Sequence, residues 1–537
     1  MKRPTAVSVV VGAVALALTL MSCTSGDPTT TPDPSVTPDP TTSGEPAGIF
    51  RHAVAPEVGS VNPMSANQPQ EIQVITYAYE TLIYTNNSGE RLPWLAEDWS
   101  INDEGTTVTF TLKEGITFHD GTPFDAEVAA ANINYHTDPE NPSVYTDSLP
   151  AGLAATGTGL TLEVSADQGD PFLASLVGGI RMVAAAGLAN PDGLETASNG
   201  TGLYEMTGVT PGKYTFTTRE DYTWGPQGLT SQTAGLPAGL EITVVTDEST
   251  RANLLLSGEL NAAAVLGADF DRVSAAGYEY VGTINPIGQI LFNEREDRPT
   301  SDPRVREALI LGFKHADAAE VVSAGRAVEL TSWITEAPFT CYSETPVWNR
   351  PAEDATRAAA LLDEAGWTAS ADGTRARDGV PLSVNFIYDA GAASHAAAAE
   401  LLSQDWAELG ITANLIAMSG ADWSEYLYQT FDYDTGWIQI GVGSPVIQHL
   451  FYGGAFPEDG GLNFMGVSDP AYDAFAAQAL SAADEDEACG YWKQAEKVVV
   501  ENFHTFLLTG TTLPVFANGA SFEITDYLQP VSIRMTP

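Results

Sequence analysis

The sequence predicts an α/β protein. Segments with the alternating apolar pattern of strands, such as 108–112 and 240–245, are interleaved with segments whose apolar residues recur at helical spacing, such as 303–313 and 394–409. The interleaving continues over residues 48–537, and no repeat with a period of about 20–50 residues is visible. These observations favour a mixed fold and argue against a solenoid.

Turn and capping residues place the individual elements. A strand over 108–112 follows a turn at 102–105, and a second strand over 116–124 is closed by Asp120 and Gly121. The other predicted elements are a helix capped by Asp125 and running to about 135, a strand over 240–245, a helix over 250–257 stopped by Gly258, a helix opened by Asp302 and Pro303, a helix over 394–409 stopped by Gly410, and a helix N-terminus at the acidic run 484–487.

Composition excludes one class of partner. The chain has 537 residues, with 70 acidic against 23 basic side chains and a formal charge of -47. Such a charge repels polyphosphate, which argues against nucleic-acid binding. The length is ample for two or three domains.

The N-terminus predicts export and lipid anchoring. Lys2 and Arg3 precede an apolar stretch over 6–21, the pattern of a signal peptide spanning 1–22. The stretch ends Leu-Met-Ser before Cys23 and resembles a bacterial lipobox, which implies cleavage before Cys23 and diacylglycerol on its sulfur. An ordinary secretory peptide is the alternative. Cleavage removes two positive charges and leaves -49 on the mature chain.

Residues 23–47 predict a tether. The segment is rich in Pro and Thr and repeats Thr-Pro-Asp-Pro, so it has little apolar surface to bury. The folded body then begins near residue 48. No other run is apolar over the length that a membrane-spanning helix needs.

Besides Cys23, the chain contains two further cysteines, Cys341 and Cys489. In an oxidising compartment an even remainder favours a disulfide, and two buried free thiols are the alternative.

Several motifs, in this order, resemble the extracellular solute-binding proteins of family 5, the peptide/nickel-type receptors of ABC importers. The motifs are YETL at 79–82, LAEDW at 95–99, TVTFTLKEG at 107–115, FHDGTPF at 118–124, GTGLY at 200–204, DESTRANLLLSG at 247–258, DPRVREAL at 302–309 and LLDEAGW at 361–367. They span nearly the whole body. Phe118, Phe124 and Trp99 are expected to be core and turn residues, and His119 a structural hydrogen-bonding group.

The resemblance implies a two-lobed, periplasmic-binding-protein-like clamp with an additional domain II. Lobe I would consist of about 48–80, 200–291 and 505–537, domain II of about 81–199, and lobe III of about 292–504. The solute would bind between the lobes, which close by a hinge motion and present the closed form to a permease.

The resemblance implies two charged clamps, an acidic residue in dipeptide- and oligopeptide-binding members and an added arginine in dipeptide-binding members, and neither has a counterpart here. The position of their acidic residue, which pairs with the peptide ammonium, falls on Ile440, and that of their arginine on 396–397, both alanine. A buried ammonium beside isoleucine would lack a partner, so a free zwitterionic dipeptide is disfavoured. Asp432 or Asp434 is the substitute acid if the alignment slips; otherwise both face solvent.

The candidate ligand-binding residues follow from position in the family pattern. They are Asn67, Gln68, Trp437, Gln439, Ile440, Gly441, Gly443 and Ser444. Trp437 either offers a stacking face in the cleft or lies in the core. His395 is expected to cap its helix or lie at the surface. No metal-ligand spacing occurs among the histidines, and no cofactor is expected.

The predicted function is that of a receptor rather than an enzyme. The protein is expected to be a monomer on the outer face of the membrane that captures an oligopeptide-like solute and delivers it to ABC permease subunits with a cytoplasmic ATPase. The alternatives are a secreted hydrolase, although its usual motifs are missing, and a solute-sensing lipoprotein that binds a sugar or a metal chelate.

Overall fold

The computed structural model describes residues 44, 46–141, 143–145, 149–333, 339–343, 345–440 and 444–536. The predicted signal peptide, Cys23, nearly all of the tether, Gly441 and Gly443 lie outside these residues.

The described strands follow the predicted α/β pattern. They are β1 Ile49–Val54, β2 Ile83–Thr85, β3 Arg91–Pro93, β4 Ala96–Ile101, β5 Thr107–Leu112, β6 Ala154–Thr158, β7 Thr161–Ser165, β8 Tyr204–Thr210, β9 Lys213–Thr218, β10 Gly239–Val244, β11 Ala262–Ala264, β12 Tyr280–Pro286, β13 Gln289–Phe292, β14 Thr368–Ala369, β15 Arg375–Arg377, β16 Val380–Pro381, β17 Ser383–Asp389, β18 Thr412–Met418, β19 Thr435–Trp437, β20 Thr505–Leu507, β21 Gly510–Ala517, β22 Ala520–Ser521 and β23 Arg534–Met535.

Helices occur between these strands. The described α-helices are α1 Pro69–Thr76, α2 Ala126–Thr137, α3 Leu173–Gly178, α4 Ala185–Ala189, α5 Glu248–Leu256, α6 Phe270–Ala275, α7 Pro303–Leu311, α8 His315–Val322, α9 Ala355–Glu364, α10 Ala393–Glu408, α11 Gly420–Glu425, α12 Pro445–Tyr452, α13 Pro470–Leu480 and α14 Glu485–Glu501. A π-helical turn, Tyr426–Thr430, follows α11. Within the described residues, no helix has both the length and the apolar character needed to cross a bilayer.

Three sheets organise the body. The lobe I sheet has the strand order β12-β21-β11-β1-β10-β9-β8, with β1 parallel to β10 and β11. The domain II sheet is antiparallel, in the order β4-β5-β7-β6. The lobe III sheet has the order β18-β17-β19-β13-β20, with β17 parallel to β18 and β19.

The hydrophobic cores follow these sheets. Phe50 of the lobe I sheet and Phe110 of the domain II sheet are fully buried in one continuous cluster. Ile290 and Trp406 belong to a separate cluster in lobe III. Phe172, just before α3 of domain II, is buried in a third cluster that otherwise consists mostly of lobe III residues. Domain II therefore shares its core with lobe I and also packs against lobe III.

The chain crosses between the lobe I and lobe III sheets at two short connections. β12 lies in the lobe I sheet and β13 in the lobe III sheet, so residues 287–288 connect them. β20 and β21 are joined in the same way by residues 508–509. The connections are paired: the Gly288 amide donates to the Thr509 carbonyl at 2.9 Å, and the Leu508 amide donates to the Gly288 carbonyl at 2.9 Å. The crossings thus lie a few residues from the expected boundaries at 291 and 505.

Most local predictions are confirmed. The strand near 108–112 is β5, and the Asp125 carboxylate caps α2 by accepting from the Glu127 and Val128 amides. Asp302 caps α7, and Asp484 caps α14 at the acidic run. The second strand over 116–124 is wrong: this segment makes a single bridge, Thr117 to Pro123, around its turn.

Cys341 and Cys489 form a disulfide, with their Cα atoms 4.8 Å apart. The bond ties the segment 339–343 to α14. Both of these elements contact domain II, as described below.

Candidate functional site

The carboxyl ends of three lobe III strands meet at one edge of the sheet. β17, β18 and β19 run parallel and end at Asp389, Met418 and Trp437. In open α/β sheets, ligands bind in the crevice outside such ends. Residues 438–440, which include Gln439 and Ile440 of the predicted site, leave the sheet at this edge.

Residues 438–440 are hydrogen-bonded to β13, the strand that follows the first connection between the lobes. The Ile438 amide donates to the Gln289 carbonyl at 3.2 Å, and the Ile440 amide donates to Gln289 Oε1 at 2.9 Å. Gln439 is exposed, and its Nε2 donates to the carbonyl of Ile287 at 3.2 Å. This part of the predicted site therefore lies directly beside the paired connections between the lobes.

Trp437 takes the core position, the alternative to a stacking face in the cleft. Its side chain is 2% exposed and packs in the lobe III core, with its ring 5.6 Å from that of Phe386 in an edge arrangement. The reason is topological. β19 lies between β17 and β13, and a central strand of such a sheet is covered on both faces.

Ile440 is also buried, at 4% exposure, in the cluster that contains Trp492. Its side chain packs in this cluster, and only its backbone amide interacts at the sheet edge, where it donates to Gln289. Ser444 is half-buried and forms the N-terminal boundary of α12.

The two substitute acids are not available as clamps. Asp434 is buried, in contrast to the solvent-facing interpretation, and its Oδ2 accepts from the Asn385 amide at 2.7 Å. Asp432 is exposed and pairs with Arg298 at 3.2 Å. Both precede β19, at the end of the strand opposite to residues 438–440, so neither lies at the candidate ligand edge.

His395 neither caps its helix nor lies at the surface, which corrects that expectation. Ala392 holds the N-cap position of α10, and His395 is buried with no hydrogen-bond partner for Nδ1 among the described residues. Burial lowers the pKa of its imidazole. The residue follows β17 and therefore belongs to the same sheet edge as Gln439.

Asn67 and Gln68 lie exposed at the start of α1 in lobe I. The buried carboxylate of Glu71 organises the loop: its Oε1 accepts from the Gly59 and Ser60 amides, and its Oε2 from the amides of Asn67 and Gln68. Such a loop presents two amide side chains on a fixed backbone. No hydrogen bond within the described residues joins them to Gln439 or Ser444.

A cavity that the sequence did not predict lies where domain II, lobe III and the C-terminal segment meet. Its volume is about 220 Å³, and its lining includes Arg91, Thr340, Thr525 and Asp526. We call it the junction cavity. Its lining comes from four distant parts of the chain, so no local pattern could have indicated it.

One wall of the junction cavity is a polar contact between domain II and lobe III. Arg91 forms an ion pair with Glu485, the first residue of α14, and donates to Thr340 Oγ1 at 2.9 Å. Ser175 donates to the other carboxylate oxygen of Glu485 at 2.8 Å. The positive charge of Arg91 is therefore already compensated.

Asp526 has no such partner. The residue is exposed and lines the junction cavity, and it forms neither a hydrogen bond nor an ion pair with the described residues. The surrounding protein limits its hydration and raises the pKa of the carboxyl to about 6, while the charge of Arg181 opposes this rise. Arg181 itself donates to Thr76 Oγ1 at 3.1 Å and to the Tyr145 hydroxyl at 3.3 Å.

Among the described residues, no three His, Cys, Asp or Glu side chains come together in a group that could hold a metal ion. His119 is a structural residue, as expected: its Nε2 bonds the Gly202 carbonyl at 3.0 Å and its Nδ1 bonds Ser198 at 2.9 Å.

A model of the family described as "Bacterial extracellular solute-binding proteins, family 5 Middle" matches residues 90–458. The match covers more than half of the chain and includes all of the lobe III sheet except β20.

Curated relatives cover most of the chain. The nickel-binding periplasmic protein of Escherichia coli (strain K12) is 27% identical over 398 residues, which is 69% of this chain and 73% of the relative. The glutathione-binding protein GsiB of Salmonella paratyphi A is 25% identical over 464 residues, 83% of this chain and 86% of the relative. These relatives are binding proteins and not enzymes, which does not support the hydrolase alternative.

The fold is that of two-lobed solute-binding proteins. The structure of HbpA2 from Haemophilus parasuis matches with a TM-score of 0.76 and 19% sequence identity, over 91% of this chain and 100% of the other. The sequence-based fold class is therefore confirmed.

Proposed function

Because this chain belongs to family 5 of the bacterial extracellular solute-binding proteins, we propose that it captures a small peptide-like solute between its lobes and delivers it, as a monomer, to an ABC permease. The observation that carries the proposal is the pair of connections at 287–288 and 508–509. Two short, mutually bonded segments can bend together while the sheets on either side stay rigid.

The position of the candidate contacts supports the same proposal. Gln439 bonds the first connection, and residues 438–440 lie at the carboxyl edge of the lobe III sheet. A solute bound there would contact lobe III directly beside the hinge, with Asn67 and Gln68 as the proposed contacts from lobe I. Binding at this place would favour the closed form, which a permease can distinguish from the open one.

The chemistry of this edge favours a solute that is not a free dipeptide. The clamp position is occupied by buried Ile440, the positions 396–397 are alanine, and Asp434 is bonded elsewhere. A zwitterion would have to bury an ammonium and a carboxylate without a pair of opposite charges to receive them. A longer or end-blocked peptide buries neutral amides there instead.

Calorimetry with matched peptides tests this proposal. We expect N-acetyl-Ala-Ala-Ala-amide to bind at least about tenfold more tightly than Ala-Ala, because each unpaired buried charge costs more than about 1.4 kcal/mol. Mass spectrometry of the solute released from the purified protein should give a peptide-like compound. Tighter binding of Ala-Ala would contradict the solute class, and catalytic turnover of either peptide would contradict the receptor role.

A pair of glutamine variants tests the location. Gln439→Ala is expected to weaken peptide binding by about twofold to tenfold, the effect of one neutral hydrogen bond. Gln478→Ala is the control, since Gln478 is also exposed and also donates to a carbonyl, that of Ala474, but lies on α13. Equal effects of the two substitutions would remove Gln439 from the site.

The N-terminal sequence supports a lipid anchor on Cys23, which would hold the body outside the cell through the tether 24–47. Cys23→Ala is expected to move the protein from the membrane fraction to the medium, whereas Thr24→Ala should leave it membrane-bound. Retention of the Cys23→Ala protein by membranes would contradict the anchor.

A further inference from the structure

The junction cavity combines an open volume with one carboxylate, that of Asp526, which has no hydrogen-bond or ion-pair partner among the described residues. At about 220 Å³ it has room for roughly seven water molecules, taking about 30 Å³ for each. The lining includes the apolar residues Ile83 and Phe339 and the hydroxyl-bearing residues Thr85, Ser175, Thr340 and Thr525. A group of a few heavy atoms with an apolar stem and a polar end fits this lining.

The charged residues around the cavity determine which polar group of a ligand would fit there. Arg91 is paired with Glu485. Arg181, which is not part of the lining, donates to the hydroxyl groups of Thr76 in lobe I and Tyr145 in domain II, and its charge also favours the ionised form of Asp526. Asp526 is the remaining charged group of the lining, and its carboxylate has no hydrogen bond or ion pair within the described residues.

We propose that the junction cavity binds a cationic nitrogen of the solute, an ammonium or guanidinium carried on an apolar stem, on the carboxylate of Asp526. A carboxylate on a cavity wall gains more from a cation than one in bulk water does, because the neighbouring protein screens the attraction less than water does. This inference rests on the proposed function and names the solute class more narrowly: a peptide with a cationic side chain, bound without a matching carboxylate clamp.

The state of Asp526 in the free protein supports the proposal. Crowding by protein raises the pKa of its carboxyl to about 6, so the group is ionised at neutral pH although it has no partner. Its neighbours Thr525 and Gln529 are bonded to each other at 2.6 Å, which holds the C-terminal segment in place without using Asp526. An unpaired carboxylate on a fixed backbone is a preformed receptor for a cation.

The substitution Asp526→Asn removes the charge and keeps the shape. Because Asp526 makes no described bond, the variant should fold with undiminished thermal stability. Asp459→Asn is the matched control, since Asp459 is also an aspartate and is exposed on a lobe III loop away from the cavity.

The test separates the inference from the proposed function by using two probes. The first probe is n-butylammonium chloride, and n-butanol and sodium chloride at the same concentration are its controls. Thermal unfolding near neutral pH measures the effect of each solute on the Tm. Butylammonium should raise the Tm of the wild type and of Asp459→Asn more than the other two solutes do, and this excess should vanish in Asp526→Asn. An excess that persists in Asp526→Asn, or none in the wild type, overturns the inference.

The second probe is a pair of blocked tripeptides with central lysine or norleucine, measured by calorimetry. The wild type should bind the lysine peptide about ten- to a hundredfold more tightly, the range of one charged hydrogen bond, and Asp526→Asn should bind both alike. Binding of both peptides without a preference overturns the inference and leaves the receptor function standing. Binding of neither peptide, with the butylammonium effect intact, contradicts the peptide assignment alone.

Discussion

Replacing both Cys341 and Cys489 with alanine is expected to lower the free energy of unfolding by on the order of 4–5 kcal/mol. The two residues are 148 positions apart in sequence, so the bond removes a large share of the freedom of the unfolded chain. The substitutions remove little buried surface, because both cysteines are only partly buried at the edge of their cluster. Urea denaturation of wild type and double variant measures the difference.

The wild type treated with a reductant should unfold at the same urea concentration as the double variant, and the double variant should not respond to the reductant. The Cys23→Ala protein serves as the background for all of these measurements, since this substitution leaves Cys341 and Cys489 intact. Equal midpoints for oxidised and reduced protein would contradict the prediction, as would the recovery of two free thiols from the oxidised sample.

The same substitution should also affect the contact between domain II and lobe III. Thr340 is next to Cys341, and Glu485 lies one helical turn before Cys489. Both contact Arg91. The disulfide therefore holds the two lobe III partners of Arg91 at a fixed separation, and its loss should loosen one wall of the junction cavity.

Features that depend on a few neighbouring residues could be predicted from the sequence. The caps at Asp125, Asp302 and Asp484 follow from side chains that accept from amides two or three positions ahead. The strand over 116–124 failed for a tertiary reason. The His119 amide and ring bond to the Gly200 and Gly202 carbonyls, so this turn is stabilised by a distant segment instead of a strand partner.

The site was predicted less well because it depends on which strands become neighbours. Trp437 could serve as a stacking face only if its strand were at a sheet edge, and β19 is central. The apolar residues Trp437, Ile438 and Ile440 were a local signal for burial that the family pattern obscured. Asp526 gave no signal, because its role arises only when residues near 85, 175 and 340 surround it.

The substitution Glu294→Gln is expected to destabilise the protein by about 3–5 kcal/mol, because it breaks a buried ionic network. Glu294 Oε2 pairs with Arg306 at 3.0 Å, and Glu294 Oε1 bonds His504 Nδ1 at 2.7 Å. His504 Nε2 bonds Asp469 at 3.1 Å. The side chains of Arg306, Glu294 and His504 are each less than a tenth exposed. Since carboxylates face both ring nitrogens, both must donate, and the network contains two anions and two cations.

The penalty should depend on pH through His504. Burial alone would lower the pKa of its imidazole, but hydrogen bonds to Asp469 and Glu294 raise the pKa above its usual value. A raised histidine pKa contributes stability that is present below about pH 6.5 and is lost as the pH rises through the folded-state value. The cost of Glu294→Gln should therefore be larger at about pH 6 than at about pH 9, because at the lower pH two cations lose their partner.

Urea denaturation of wild type and variant at both pH values measures this change. Glu296→Gln is the matched control: Glu296 lies two residues away and is exposed, so its loss should cost little at either pH. If Glu294→Gln cost no more than Glu296→Gln, the network would not stabilise the folded state. If Glu294→Gln instead destabilised the protein more at about pH 9 than at about pH 6, protonated His504 would not be the cation that pairs with both Glu294 and Asp469. Since the network joins the start of α7, β20 and the loop after β13, the variant should loosen lobe III near the second connection while the domain II sheet keeps its stability.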